Sequence, residues 1–328
     1  MRIAVIGAGA MGCTFGAHFA KAGVDVILFD KDADHIAAIA ANGLRFATPD
    51  RDSTVRLAAT TDATVIDAAD VALMLVDSAA TADVVLLVVG CLGPDGFALT
   101  LQNGIGNIEA LSETLGAERV VAGSTYNSAA RLEPGHVLHS NTGETVIGEL
   151  DGHRTRRIDE VAALFADAGL PIEVSDNVLG HVWMKFVLNA AINPVSALTG
   201  LRAGEIVRTP SARQLLERLL DEILAVTAAK GITLSEPNPR AAVLDHAWER
   251  YNRPSMLQHV ETGRRTEIEA LNGALLKEAA ALGIACPINE AVTLSIRSID
   301  ARADKRRNVP NLDEAALEAA ARAEPRPI

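Results

Sequence analysis

The segment His181-Val-Trp-Met-Lys-Phe-Val-Leu-Asn-Ala-Ala-Ile-Asn-Pro194 places Lys185, Asn189 and Asn193 at intervals of four residues. On an α-helix each such step advances by about 400°, so the three side chains fall along one narrow stripe. Their neighbours Trp183, Met184, Phe186, Val187 and Leu188 are apolar. A lysine and two asparagines in so apolar a helix are costly to bury without partners, and a merely solvated stripe fits these flanks poorly. The stripe suits the wall of a polar cleft, where partial burial lowers the lysine's pKa and equips it to donate a proton.

A second group begins at Asn252-Arg-Pro-Ser255, with Glu267 of Arg264-Arg-Thr-Glu-Ile-Glu twelve residues beyond Ser255. Pro254 suits the first turn of a helix, and Ser255 then stands where free N–H groups help to bind a carboxylate. Twelve residues of unbroken helix turn through about 1200°, leaving Ser255 and Glu267 about 120° apart, able to line one cleft but not one stripe. By itself Glu267 reads as a surface carboxylate. Gln102-Asn103-Gly104 follows an apolar run with strand character. It belongs at the carboxyl edge of a parallel sheet, where ligands bind, although Asn-Gly is also a common plain turn.

These side chains need a scaffold, and the first residues supply one. Ile3–Ile6 is a short apolar run, followed by Gly7-Ala8-Gly9-Ala10-Met11-Gly12 and then Cys13–Ala22 of helical composition. Strand, G-x-G-x-x-G and helix in that order make a dinucleotide-binding turn. Gly7 permits the tight bend, Gly9 lets backbone approach a diphosphate, and Gly12 lets helix and strand pack closely. The diphosphate then lies against the free N–H groups and positive end of the helix. A second strand ends at Asp30, 23 residues beyond Gly7, where an acidic residue reaches an adenosine ribose. A glycine-rich turn without a ligand is the alternative, and this context argues against it.

Strand character recurs at Val24–Phe29, Val71–Val76, Ala98–Leu101, Val120–Ser124, His136–Ser140 and Thr145–Gly148. The β-branched run Thr81–Leu92 looks like a strand, but its place between two parallel strands requires a crossover helix. Glu133-Pro134-Gly135 marks a turn between antiparallel strands that finish the sheet. Long helical patterns follow at Asn177–Ala191, Ser211–Lys230, Pro239–Tyr251 and Pro254–Leu282. The expected fold is α/β: a Rossmann-type doubly wound sheet over residues 1–175, then an all-helical substrate domain over 176–328, with the cleft between them. The alanine- and glutamate-rich tail from Asn308 is expected to end in mobile residues.

Composition narrows the partners. The 328 residues are 49% hydrophobic and 22% charged, enough for two globular cores. A net charge of −12 without a basic run argues against nucleic acid. Cys13, Cys91 and Cys286 show neither disulfide nor metal-ligand spacing, so no metal site is expected. The apolar runs are too short for a bilayer, and a cytoplasmic protein without membrane contact is expected.

From Met1 to about Arg302 the chain resembles the ketopantoate reductase (2-dehydropantoate 2-reductase) family. The resemblance rests on the glycine loop, Leu101-Gln-Asn-Gly-Ile-Gly-Asn107 and Trp183-x-Lys185-x3-Asn189-x3-Asn193-Pro194. It also rests on Ser255-Met-Leu-Gln, Arg265-Thr-Glu267-Ile and Asn272-Gly273. It implies that Lys185 is the catalytic lysine and Glu267 the active-site glutamate. Asn103 matches the asparagine beside the nicotinamide, grouped here with both cofactor and substrate, and Ala129 matches a small residue near the cofactor. Asn189, Asn193, Asn252 and Ser255 match positions that hold the substrate's carboxylate and hydroxyl groups. A homodimer is compatible with the resemblance.

The implied activity is nicotinamide-dependent reduction of a small 2-oxo acid, with 2-dehydropantoate to pantoate foremost. A paralogous 2-hydroxy acid dehydrogenase or reductase is the second reading and a non-catalytic dinucleotide sensor the third. The presence of both Lys185 and Glu267 counts against the sensor. Two departures matter. The family commonly has a basic residue after the second strand, facing the 2′-phosphate of NADP, where this chain has Asp30-Lys31. It usually has a lysine after the third strand candidate, where this chain has Asp77. A carboxylate accepts hydrogen bonds from ribose hydroxyls and repels a 2′-phosphate, so NAD(H) is expected over NADP(H).

Overall fold

The computed structural model describes residues 1–308 and 314–323. β1 (Arg2–Ile6) runs into α1 (Ala10–Lys21), and β2 (Asp25–Phe29) into α2 (Ala33–Asn42). Three short strands follow: β3 (Leu44–Ala47), β4 (Asp52–Val55) and β5 (Ala58–Thr60). Alternation resumes with β6 (Ala69–Met74), α3 (Thr81–Cys91), β7 (Leu92–Thr100), α4 (Asn107–Leu115) and β8 (Val120–Thr125). β9 (Ser128–Glu133), β10 (His136–Asn141), β11 (Thr145–Glu149), α5 (Arg156–Asp167) and β12 (Ile172–Val174) close the sheet-bearing part.

Beyond Val174 no strand occurs among the described residues. The chain continues as α6 (Val178–Thr199), α7 (Ala203–Arg208), α8 (Pro210–Ala229), α9 (Pro239–Trp248) and α10 (Ser255–Glu261). A π-helical turn, Glu269–Gly273, leads into α11 (Ala274–Leu282), then α12 (Pro287–Asn308) and α13 (Glu314–Ala323). Residues 324–328, where mobility was expected, lie outside the described ones. No described helix is long and apolar enough to cross a membrane, and the described residues hold no cluster of metal-ligating side chains.

The main sheet has the order β12-β11-β8-β7-β6-β1-β2-β5. From β5 to β8 its neighbours are parallel. Period-two alternation divides its side chains between two cores. Ile3 and Val5 pack with Phe15, Phe19 and Phe165 of α1 and α5, while Ala4 and Ile6 pack with Val85, Val88 and Leu111 of α3 and α4. The Val84–Val89 run is helical, as the crossover between parallel β6 and β7 demands, despite its β-branched composition.

The sheet is mixed, because β11 pairs antiparallel with β8. Two expectations need correction. The Glu133–Gly135 turn does join antiparallel strands, but β9 and β10 do not finish the main sheet. They form a second sheet, β4-β3-β10-β9, in which β10 pairs with β3 some ninety residues earlier. Nothing local in the sequence specifies that partner. The helical pattern Pro254–Leu282 is not one helix either: α10 stops at Glu261 and Gly263 turns the chain at φ +66°, a conformation that favours glycine.

Gly12 fixes the entry to α1, since a Cβ there would collide with the carbonyl oxygen of Gly7. Gly12→Ala should therefore lower unfolding stability by about 1–3 kcal/mol, the usual cost of overpacking a tight contact. Urea denaturation measures this, and an unchanged midpoint would show that the contact relaxes freely.

Candidate active site

The glycine loop is bent back on the end of β2: the N–H groups of Gly7 and Ala8 donate to Phe29 O at 2.9 and 3.1 Å. Gly7 has φ +102°, and a Cβ on it would stand 2.6 Å from Val76 N. Gly9 differs, since a Cβ there would meet nothing within 4 Å. Open space before the first turn of α1, whose initial N–H groups have no helical acceptor, is the cradle a diphosphate requires. Asp30 follows β2, half-buried, with Oδ1 accepting the Asp32 N–H at 3.0 Å. Those features fit a dinucleotide.

On the helical side, α6 carries Lys185. The side chain is half-buried, and Nζ donates to the backbone carbonyl of Thr125, at the end of β8, over 2.6 Å. Burial pulls the ammonium down to about 8, with the Glu267 carboxylate opposing the shift. The Tyr126 ring centroid lies 5.8 Å from Nζ, and burial pushes its phenol up. Asn189 is half-buried and Asn193 buried on the same helix. Pro194 follows inside α6. A helical proline cannot donate to the carbonyl four residues back, and that carbonyl, Ala190 O, accepts instead from Asn272 Nδ2 at 3.0 Å. The helix stays continuous through the stripe.

The break after α10 removes the angular offset of a continuous helix. Asn193 Nδ2 reaches Ser255 Oγ at 3.4 Å, and Ser255 Oγ donates to Glu267 Oε2 at 3.3 Å. Such long contacts are typical of sites that tighten around a ligand. Glu267 is placed by its neighbour: Thr266 N and Oγ1 donate to the Asp300 carboxylate on α12 at 3.1 and 2.8 Å. The plain surface-carboxylate reading of Glu267 does not describe this setting.

Asn103 sits in a pinned loop rather than a simple turn. Its carbonyl accepts from Ser78 Oγ at 2.6 Å and Asn107 Nδ2 at 3.1 Å, and buried Gln102 donates to Val76 O at 2.8 Å. Gly104, at φ +85°, leaves its Cβ position 2.5 Å from Ala270 O of the π-helical turn, so the two parts touch there.

The remaining candidates lie further out. Asn252 is exposed, its carbonyl accepting from Ala203 N at 3.4 Å, and no hydrogen bond links it to the Asn193–Ser255–Glu267 group. Ala129 lies on β9 of the second sheet, opposite His139. Asp77 is exposed at the edge after β6.

Sequence reasoning assigned no role to three contributors. His259, one turn beyond Ser255, has a buried Nδ1 with no hydrogen-bond partner. Burial lowers its pKa while the Glu267 and Asp77 carboxylates oppose the shift. Arg131 on β9 pairs with Asp32 at 2.7 Å, bringing a guanidinium to the end of β2. Asn272 could have been sought from Pro194 alone, since a helical proline frees a carbonyl that needs a donor.

Comparison with known proteins bears on this arrangement. Residues 3–152 match the family model described as "Ketopantoate reductase PanE/ApbA", and residues 177–300 match that of its C-terminal part. A 2-dehydropantoate 2-reductase of Halobacterium salinarum is 35% identical over 289 residues, covering 88% of this chain and 95% of the relative. The PanE/ApbA family ketopantoate reductase structure from Ralstonia eutropha JMP134 superposes with TM-score 0.85 at 35% identity, covering 93% of this chain and 100% of its own. A D-mandelate dehydrogenase structure superposes with the same TM-score of 0.85 at 24% identity over 93% of this chain and 100% of its own, a likeness of fold alone.

Gly9 and Gly12 should separate ligand binding from folding. Because nothing meets a Cβ at Gly9 in the free protein, Gly9→Ala should leave unfolding unchanged yet weaken dinucleotide binding at least about tenfold by blocking backbone approach. Fluorescence titration with the reduced cofactor tests this, and undiminished affinity would remove the glycine loop from the binding site.

Proposed function

This chain belongs to the ketopantoate reductase PanE/ApbA family, and we propose that it reduces the ketone of 2-dehydropantoate to the alcohol of pantoate. The observation that carries the proposal is the Lys185 ammonium, held by Thr125 O beside the Asn193–Ser255–Glu267 group. The glycine loop, Gly7 to Gly12, would hold a nicotinamide dinucleotide, whose chemistry would be hydride donation to a ketone. Lys185 first stabilises the growing negative charge on the carbonyl oxygen, then gives it a proton and becomes an amine. Solvent returns the proton to the amine. A pKa lowered to about 8 suits this task, since an acid poised near the working pH donates readily and recovers quickly.

Ser255 and Asn193 offer donors to the substrate carboxylate and hydroxyl, and Asn189 extends the same stripe. Glu267 accepts from a substrate hydroxyl and keeps Lys185 protonated more than burial alone would allow. Fixing the oxo acid at both ends makes proton delivery effectively intramolecular. Asn103 borders the nicotinamide face of the cleft. Asn252 and Ala129 remain in the reading as outer contacts, to substrate and cofactor respectively. We infer a cytoplasmic enzyme, for which a homodimer is compatible with the family resemblance.

For the cofactor we favour NAD(H). Asp30 is oriented by the Asp32 N–H, leaving Oδ2 for the ribose hydroxyls. The nearby Arg131 guanidinium is engaged with Asp32, and Lys31 is an exposed, well-hydrated ammonium. Neither offsets a carboxylate that meets a 2′-phosphate directly. Asp77 favours a second reading of the substrate, in which the same chemistry acts on another 2-oxo acid, because it replaces a usual cation at the cleft with a carboxylate.

Lys185→Ala should lower kcat by about two to four orders of magnitude while leaving dinucleotide affinity near its original value. Near-normal turnover in steady-state assays would dismiss Lys185 as the acid. Glu267→Gln should raise KM for the oxo acid as well as lower kcat, and unchanged kinetics would return Glu267 to the protein surface. Catalytic efficiency with NADH should exceed that with NADPH on one oxo acid, and the opposite order would refute the cofactor choice. A panel of 2-oxo acids should rank 2-dehydropantoate first; a different leader would select the second reading.

A further inference from the structure

Behind Lys185 lies a buried polar chain that the reaction as described does not use. It begins at the carbonyl that holds the ammonium. Thr125 ends β8 opposite Thr145 of β11, and their hydroxyls are hydrogen-bonded at 2.9 Å. Asn127, two residues on and buried, spends its whole amide on this turn. Nδ2 donates to Thr125 Oγ1 at 2.8 Å and to Gly143 O at 2.9 Å, while Oδ1 accepts from Gly143 N at 3.3 Å. Gly143 leaves no room for a side chain, since a Cβ there would strike the carbonyl of Tyr126. Residues 125–127 are thus clamped between β8 and the loop before β11.

Two histidines back this clamp. His139 Nε2 lies 3.0 Å from Asn127 Oδ1, and its Nδ1 lies 3.2 Å from Nε2 of His18 on α1. Gly143 addresses both ends of the Asn127 amide, which fixes its orientation, so Oδ1 can only accept and His139 Nε2 must carry the proton. Burial lowers the pKa of both rings, His18 Nδ1 faces the Ala168 carbonyl at 3.1 Å, and the donor that reaches the asparagine is the His139 Nε2–H.

We propose that Asn127, supported by His139, is a positioning residue for Lys185: it fixes the Thr125 turn whose carbonyl anchors the ammonium. Resting on the reductase reading above, this adds a residue from outside the cleft. Without the Asn127 amide the turn loses its tie to Gly143, and Thr125 O is no longer held where Nζ needs it. A hydrogen bond to the charged form raises an ammonium's pKa, so loosening it lowers that pKa further.

Asn127→Ala should reduce kcat by about ten- to a hundredfold, the effect of a displacement near 1 Å at a reacting group. Cofactor affinity should stay within about twofold, because the glycine loop is untouched. In protein labelled with [6-13C]lysine, the Lys185 titration midpoint, assigned through Lys185→Arg, should move to lower pH than in the parent. His139→Leu should repeat both effects more weakly, and His139→Gln, which keeps a donor, should restore them in part. A merely structural asparagine would lower thermal stability while leaving the midpoint and kcat per active site in place, which overturns the proposal. Should Asn127→Ala fail to fold, the contrast between His139→Leu and His139→Gln decides by the same readouts. If the parent enzyme reduces no 2-oxo acid, the functional reading fails, and the lysine titration alone decides the role of Asn127.

Discussion

An ammonium half-withdrawn from water is the constraint around which the molecule is arranged. Lys185 lies among apolar neighbours on α6, and removing a charge from solvent costs several kcal/mol unless acceptors replace the lost water. Thr125 O replaces part of it at 2.6 Å, and the Glu267 carboxylate supplies opposing charge. The balance leaves the pKa at about 8 rather than 10.5. Such a lysine is charged when substrate arrives and weak enough as a base to part with its proton.

Holding that balance requires both halves of the chain. β8 ends at the carbonyl and α6 carries the amine, so the anchor spans the boundary between sheet and helices. Asn272 keeps α6 unbroken past Pro194 by taking the carbonyl that the proline abandons. Gly263 ends α10's run and lets the chain double back, and Thr266 locks the return onto Asp300. Ser255 and Glu267 then meet at 3.3 Å although a continuous helix would hold them apart. The π-helical turn that follows presses Ala270 against Gly104, beside the loop that carries Asn103. A π-turn placed beside a functional cleft is a frequent arrangement.

How much of this was legible depended on whether the governing contact was local. The glycine loop, the crossover helix and the Lys185–Asn189–Asn193 stripe follow from spacing and periodicity within a few turns of chain. So does the transition from alternating strands to helices. The second sheet was not legible, because β10 takes its partner from residues 45–47 and the hairpin turn at Pro134 says nothing of that choice. The helix break was signalled only by Gly263, one of two glycines in a long helical pattern, and its meaning rests on Asp300 being present to receive Thr266. Arg131 becomes a neighbour of the candidate site solely through tertiary packing, whereas His259 lies one turn beyond Ser255 and only its exposure to the Glu267 and Asp77 carboxylates depends on the fold.

The pH dependence of kcat/KM for reduction of the oxo acid tests the central claim most directly. With Lys185 as the acid, kcat/KM is level on the acid side and falls as pH rises through about 8, because only the ammonium form can give a proton. Oxidation of the hydroxy acid should rise through the same pH, since the amine is then the base. A reduction rate that stays level to about pH 10, the range of an unperturbed lysine, would contradict the account.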